Sequence, residues 1–137
     1  MLNDNTKGLG YLKQLNGKIH IILGNHDNGA RKEFYQCLTN IVEVTYATMI
    51  KYKKYSFFLT HYPSKVGWIG NDSRLWNLAG HTHSKDKFEN GEFKIYNVAC
   101  DAHNCTPVCI DKVLEDIRTY KTEFNNEEMR RNNNEKN

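Results

Sequence analysis

Apolar residues along the chain fall into short blocks whose spacing alternates between helical and strand-like. Leu9, Leu12 and Leu15 stand three apart, so residues 7–15 read as the last turns of an amphipathic helix. Asn16-Gly17 then supplies the left-handed stop that such helices favour. Residues 18–23 (KIHIIL) form a short β-branched run that predicts a buried strand, and Gly24-Asn25-His26-Asp27 follows at once as a loop. Helical spacing returns over 30–38 through Ala30, Phe34 and Leu38. Residues 41–46, 48–52 and 55–60 read as three strands, the last two joined by a short lysine turn, with His61 just past the third.

The stretch 62–72 holds Pro63, Gly67 and Gly70 and reads as a loop; Trp68 in it and Trp76 beyond it read as packing residues. Residues 75–79 form another short strand that runs directly into Gly80-His81-Thr82-His83. Asn90-Gly91 is the signal for a two-residue hairpin turn, pairing 86–89 with 92–98. Ile110, Val113, Leu114 and Ile117 define an amphipathic helix over 110–120, with Asp111 near its start. From Lys121 onward the chain is polar and asparagine-rich. The expected organisation is one domain over 1–120 and a disordered tail over 121–137.

Composition narrows the function classes. The 137 residues suffice for a single core, and a net charge of +3 is too small and too evenly spread to demand nucleic acid as a partner. No apolar run approaches the length of a membrane span. The first residues lack the basic start and apolar stretch of a signal peptide, so the expected location is the cytoplasm, with no membrane partner. Cys100, Cys105 and Cys109 lie near His103, but without the tight Cys-x-x-Cys pair that zinc sites usually present. Together with Cys37 they read as free, partly buried thiols. His20 and His103 read as structural histidines. The run Lys51-Tyr52-Lys53-Lys54-Tyr55 interleaves bases with aromatics, which suits either a nucleic-acid-binding surface or, more simply, the solvated turn of a hairpin.

Three segments share one pattern: a strand ends, and a metal-type ligand stands in the next loop. These are Asn25-His26 after 18–23, His61 after 55–60, and His81 with His83 after 75–79. Sites of open α/β sheets form beyond the carboxyl ends of strands, so the three loops can converge. Histidine and asparagine together suit divalent ions such as Mn, Zn or Fe.

In this order, G-N-H-D, a lone histidine after an apolar strand, and G-H-T-H resemble the third, fourth and fifth motifs of the calcineurin-like metallophosphoesterases. The run NVACDAHNCTPV followed by a helix is similar to that family's closing segment, and the resemblance covers roughly residues 8–118. It implies a four-layer α/β sandwich of two mixed sheets flanked by helices. The implied activity is hydrolysis of a phosphomonoester or phosphodiester by a metal-activated water, with two divalent ions (Mn, or Fe/Zn) as cofactors. The implied roles are Asn25, His61 and His81 on one metal, His83 on the other, and His26 as general acid and phosphoryl contact. Asp27 belongs to the motif without an assigned role. Gly24 and Gly80 are expected to permit sharp backbone turns.

The family's Asp-x-His and Gly-Asp motifs do not precede His26. The resemblance therefore implies an N-terminally truncated domain lacking the first strands, with residues 18–23 left as an exposed sheet edge. Such a chain is expected to dimerise or to need a separate N-terminal piece that completes the site. The competing expectations are a catalytically impaired homologue holding at most one metal or a phosphate, and a small basic nucleic-acid-binding module. Under the enzyme reading, nucleic acid enters only as a phosphate-ester substrate.

Overall fold

The computed structural model describes residues 5–67, 74–89 and 93–135. The chain is α/β, in the order α1 (Asn5–Gln14), β1 (Ile19–Ile22), α2 (Gly29–Gln36), β2 (Ile41–Thr45), β3 (Ala47–Tyr52), β4 (Tyr55–Thr60), β5 (Leu75–Ala79), β6 (Ile95–Asn97), a 3-10 turn (Cys100–His103) and α3 (Ile110–Asn134). Among the described residues there are two sheets. One is the parallel pair β1-β2; the other is four-stranded, in the order β3-β4-β5-β6.

The first unit is a βαβ crossover. Gly17 takes a φ of 94°, the left-handed stop expected after α1. The Asn40 side chain then donates to the carbonyls of Leu12 (2.8 Å) and Leu15 (3.2 Å), closing the helix end. Asn28 caps α2 by accepting from the Arg31 amide at 3.2 Å. β1 pairs with β2 in parallel from Ile19↔Ile41 to Ile22↔Thr45. Its other edge has no strand partner among the described residues. His20 lies 2.7 Å from Glu43 across this pair on the exposed surface, a structural role as expected.

The second unit holds most of the core. β3 and β4 form the antiparallel hairpin predicted around the lysine turn, with Lys53 at a φ of 53°. Lys53 and the Tyr52 hydroxyl both reach Asp111 at the start of α3, at 2.7 and 3.0 Å, which ties the turn to that helix. β5 and β6 add in parallel, so β4 and β5 point their carboxyl ends to the same edge. Phe57, Trp76, Leu78 and Tyr96 form the apolar layer against which α3 lays Val113, Leu114 and Ile117. Each fully buried side chain of this kind stabilises the fold by roughly 1.5–3 kcal/mol.

Three expectations change here. The region after Lys121 is helical as far as Asn134, so the expected disordered tail is replaced by an extension of α3. Its glutamates and arginines have high helix propensity and continue a helix already nucleated on the core. Among the described residues the expected 86–89/92–98 hairpin is reduced to the antiparallel bridge Phe88↔Tyr96, flanked by bonds from the Asn97 amide to the Lys87 carbonyl (2.7 Å) and from the Glu89 amide to the Ile95 carbonyl (3.3 Å); the Asn90-Gly91 turn lies outside the described residues, as does Trp68. All four cysteines are free and exposed rather than partly buried. Among the described residues, no helix is long and apolar enough to cross a membrane.

Candidate functional site

The site is assembled where β1, β4 and β5 end. β4 and β5 are neighbours in register, Leu59 opposite Leu78, so the residues following them emerge side by side. The His61 carbonyl accepts from the amides of Gly80 (3.3 Å) and His81 (3.1 Å), which fixes one loop to the other. Beneath them, the buried Asn77 side chain accepts from the Ser64 amide and donates to the Phe58 carbonyl and the Thr60 hydroxyl, each at 2.8 Å. A buried amide satisfied in this way sets the exit of β4 and the start of the 61–64 turn.

The G-N-H-D loop arrives from the other sheet. Leu23 donates to the Thr45 carbonyl at 2.8 Å, the last rung between β1 and β2. Asp27 then folds back: one carboxylate oxygen accepts from the Gly24 amide and the other from the Tyr35 hydroxyl, both at 2.8 Å, with Arg31 at 3.9 Å. The aspartate thus braces the loop against α2. Burial, then the bond to Asp27, pushes the Tyr35 phenol up to about 12, so it stays a proton donor across the ordinary pH range. Gly24 does not take a positive φ, so the expected sharp turn is not its reason. A Cβ there would stand 2.8 Å from the Cε1 and Nδ1 atoms of the His61 ring, so glycine is needed for close approach. At Gly80 a Cβ would meet only ordinary contacts, and φ is again not positive.

These constraints bring three of the expected ligands together. His61 Nε2 lies 2.7 Å from Asn25 Oδ1 and 2.9 Å from His81 Nδ1. One ring nitrogen carries either one proton or one lone pair and cannot serve two partners well. The same ring nitrogen is thus faced by an amide oxygen and by a second imidazole nitrogen. Burial, and then the proximity of His81, lowers the pKa of His61 and favours its neutral ring. His26 is exposed on the same loop as Asn25; Asp27 opposes the lowering at His61, while His26 and His83 add to it.

His83 stands apart from this triplet. It takes a left-handed φ of 51°, its side chain is 76% exposed, and its Nδ1 lies 3.1 Å from Asp101. Among the described residues, no group of three or more histidine, cysteine, aspartate or glutamate side chains is placed to hold a metal ion; the cluster that forms mixes two histidines with an amide. His103 lies 2.8 Å from the Asn97 carbonyl, which fits a structural role.

The chain is 29% identical over 123 residues to a protein of Methanocaldococcus jannaschii described only as uncharacterized; the match covers 87% of this chain and 61% of that protein. The chain thus spans less than two thirds of that relative's length. No family model and no solved structure matches it.

Sequence reasoning missed Asp27 as the brace, Asp101 as the partner of His83, and Asn77 as the organiser beneath the cluster. Asp27 could have been found from its position, because an aspartate three residues after a glycine readily closes a turn onto that glycine's amide. The other two make contacts across 18 and 13 to 19 residues and leave no local signal.

Proposed function

We propose that this chain carries the metal- and phosphate-binding half of a divalent-metal-dependent phosphoesterase resembling the calcineurin-like family. The observation that supports this best is the meeting of Asn25, His61 and His81 within 2.9 Å contacts at the ends of β1, β4 and β5. In this reading the two sheets are the second part of a four-layer sandwich, and further strands would add at the edge of β1 that has no strand partner among the described residues.

A bound divalent cation supplies Lewis-acid polarisation of the phosphoryl group and a water of lowered pKa. The chain's own residues do the rest. Asn25, His61 and His81 would hold one cation, and His83, oriented by Asp101, would hold a second. His26 protonates the leaving oxygen of the ester, a general-acid role that an imidazole commonly fills. Gly24 and Asp27 hold that histidine's loop against the His61 ring.

The donor set favours a second reading as well. Asn25, His61 and His81 carry no negative charge, and His83 already faces Asp101, so these residues alone hold one cation more readily than two. A chain that binds one cation or a phosphate without turnover would follow, unless a second copy or a separate N-terminal piece supplies the bridging carboxylate. Hydrolysis of p-nitrophenyl phosphate and bis-p-nitrophenyl phosphate with added Mn2+ separates the readings. Turnover that needs Mn2+ and collapses in His26→Ala is the expected result. Equal rates in the folded wild type and the variant would overturn the catalytic reading.

A further inference from the structure

Beside the cation cluster opens a cavity of about 310 Å³ lined by Leu23, Gly24, Asn25, Tyr46, Thr60, His61, Tyr62 and Ser64. Two of its walls are tyrosines that packing leaves in solvent: Tyr46 is 65% exposed and Tyr62 53%. Neither exposure reflects a slack backbone at Tyr62. Its carbonyl accepts from the Thr60 hydroxyl at 2.7 Å and the Ser64 hydroxyl at 3.2 Å, and Asn77 holds the Ser64 amide. The Tyr62 ring rests against the cluster, its centroid 5.0 Å from that of His61 and 4.4 Å from that of His81. Lys32 lies 5.6 Å from the centroid of the Tyr46 ring, within reach of a cation–π contact.

The Tyr62 ring therefore lines the cavity while touching both His61 and His81. Its position fits a ligand that spans both the cluster and the cavity. The volume lies at the small end of the roughly 300–1,000 Å³ typical of small-molecule sites. The lining surface is mostly apolar and aromatic, and the Thr60 and Ser64 hydroxyls are already bonded to the Tyr62 carbonyl, which suits a flat ring better than a sugar or a charged peptide.

We infer that this cavity binds the planar aromatic group of a phosphate ester, stacked on Tyr62 and Tyr46, while its phosphate meets the cluster of Asn25, His61 and His81. The inference rests on the phosphoesterase reading for the phosphate end alone; the aromatic end is carried by the two tyrosines and the cavity.

The test is equilibrium binding of AMP, phenyl phosphate, ribose 5-phosphate and adenosine to the full chain, with and without Mn2+, in the wild type, His61→Ala and a Tyr46→Ala/Tyr62→Ala double variant. Aromatic stacking of this kind favours binding by about tenfold. AMP and phenyl phosphate are therefore expected to bind about tenfold more tightly than ribose 5-phosphate. The double variant should erase that margin without weakening ribose 5-phosphate, and a Tyr46→Phe/Tyr62→Phe variant should keep it. Equal affinity for AMP and ribose 5-phosphate in the wild type would overturn the inference, as would a margin that survives loss of both rings. Adenosine binding that the double variant abolishes, with no Mn2+-dependent gain for AMP in the wild type, would support the cavity and overturn the phosphoesterase reading instead.

Discussion

The two sheets differ sharply in how firmly they are held, and the candidate site straddles them. The four-stranded sheet and α3 share a core in which Phe57, Trp76, Tyr96, Val113, Leu114 and Ile117 are essentially excluded from water. The βαβ unit buries little: Leu23 and Leu38 are its buried apolar residues, while Val42 and Tyr46 stay exposed. His61 and His81 grow from the first region and inherit its rigidity. Asn25 and His26 grow from the second and depend on local braces, namely the Asp27 hydrogen bonds and the fit of Gly24 under the His61 ring. Half of the site is therefore placed by the core and half by the loop itself.

The largest effect expected from this contrast is on stability. Ile117→Ala empties a site deep in the core and should cost about 2–5 kcal/mol in urea denaturation. Val42→Ala, on the lightly packed side, should stay within about 0.5 kcal/mol of wild type. Similar losses at both positions would erase the distinction between the regions.

Gly24→Ala tests the loop half directly. A methyl group pressed 2.8 Å from the His61 ring must displace the ring or the loop, so Mn2+ affinity should fall on the order of tenfold or more while the urea midpoint moves little. Asp101→Asn acts at one remove, through His83. It should lower Mn2+-dependent phosphoester hydrolysis by about tenfold, and Asp101→Glu should recover part of that loss.

The smallest expected effect is a pH dependence confined to the core side. Burial alone would raise the pKa of Asp116, but hydrogen bonds from Lys87, Tyr96 and Lys112 outweigh it and hold the carboxyl below its ordinary value. A carboxylate with a depressed folded-state pKa adds stability that is fully present above the unfolded value and disappears as pH falls through the folded one. Thermal unfolding followed downward from pH 5 should lose this contribution, and Asp116→Asn should flatten that limb of the profile.

How much of this was legible beforehand follows the same division. β4 and β5 coincide with their expected limits, because compact apolar runs with polar ends leave little choice of register. The loops that would carry ligands were legible for the same reason, since each follows one of these strands or β1. The end of α3 was not. The sequence reading ended the helix at Tyr120, whereas Phe124, one turn on, still packs against the core and the helix runs on to Asn134. Nor could the sequence reveal that Gly24 serves the His61 ring, which depends on how the two units dock, or that His83 turns to Asp101, which depends on the loops after β5 and β6 meeting.

The central claim is that Asn25, His61 and His81 act together as a cation site. Electron paramagnetic resonance of Mn2+ titrated into the wild-type chain and into His61→Ala tests it most directly, with circular dichroism confirming that both are folded. The account predicts saturable Mn2+ binding in the wild type that is lost in the variant. Unchanged binding in folded His61→Ala, or none in the folded wild type, would contradict it.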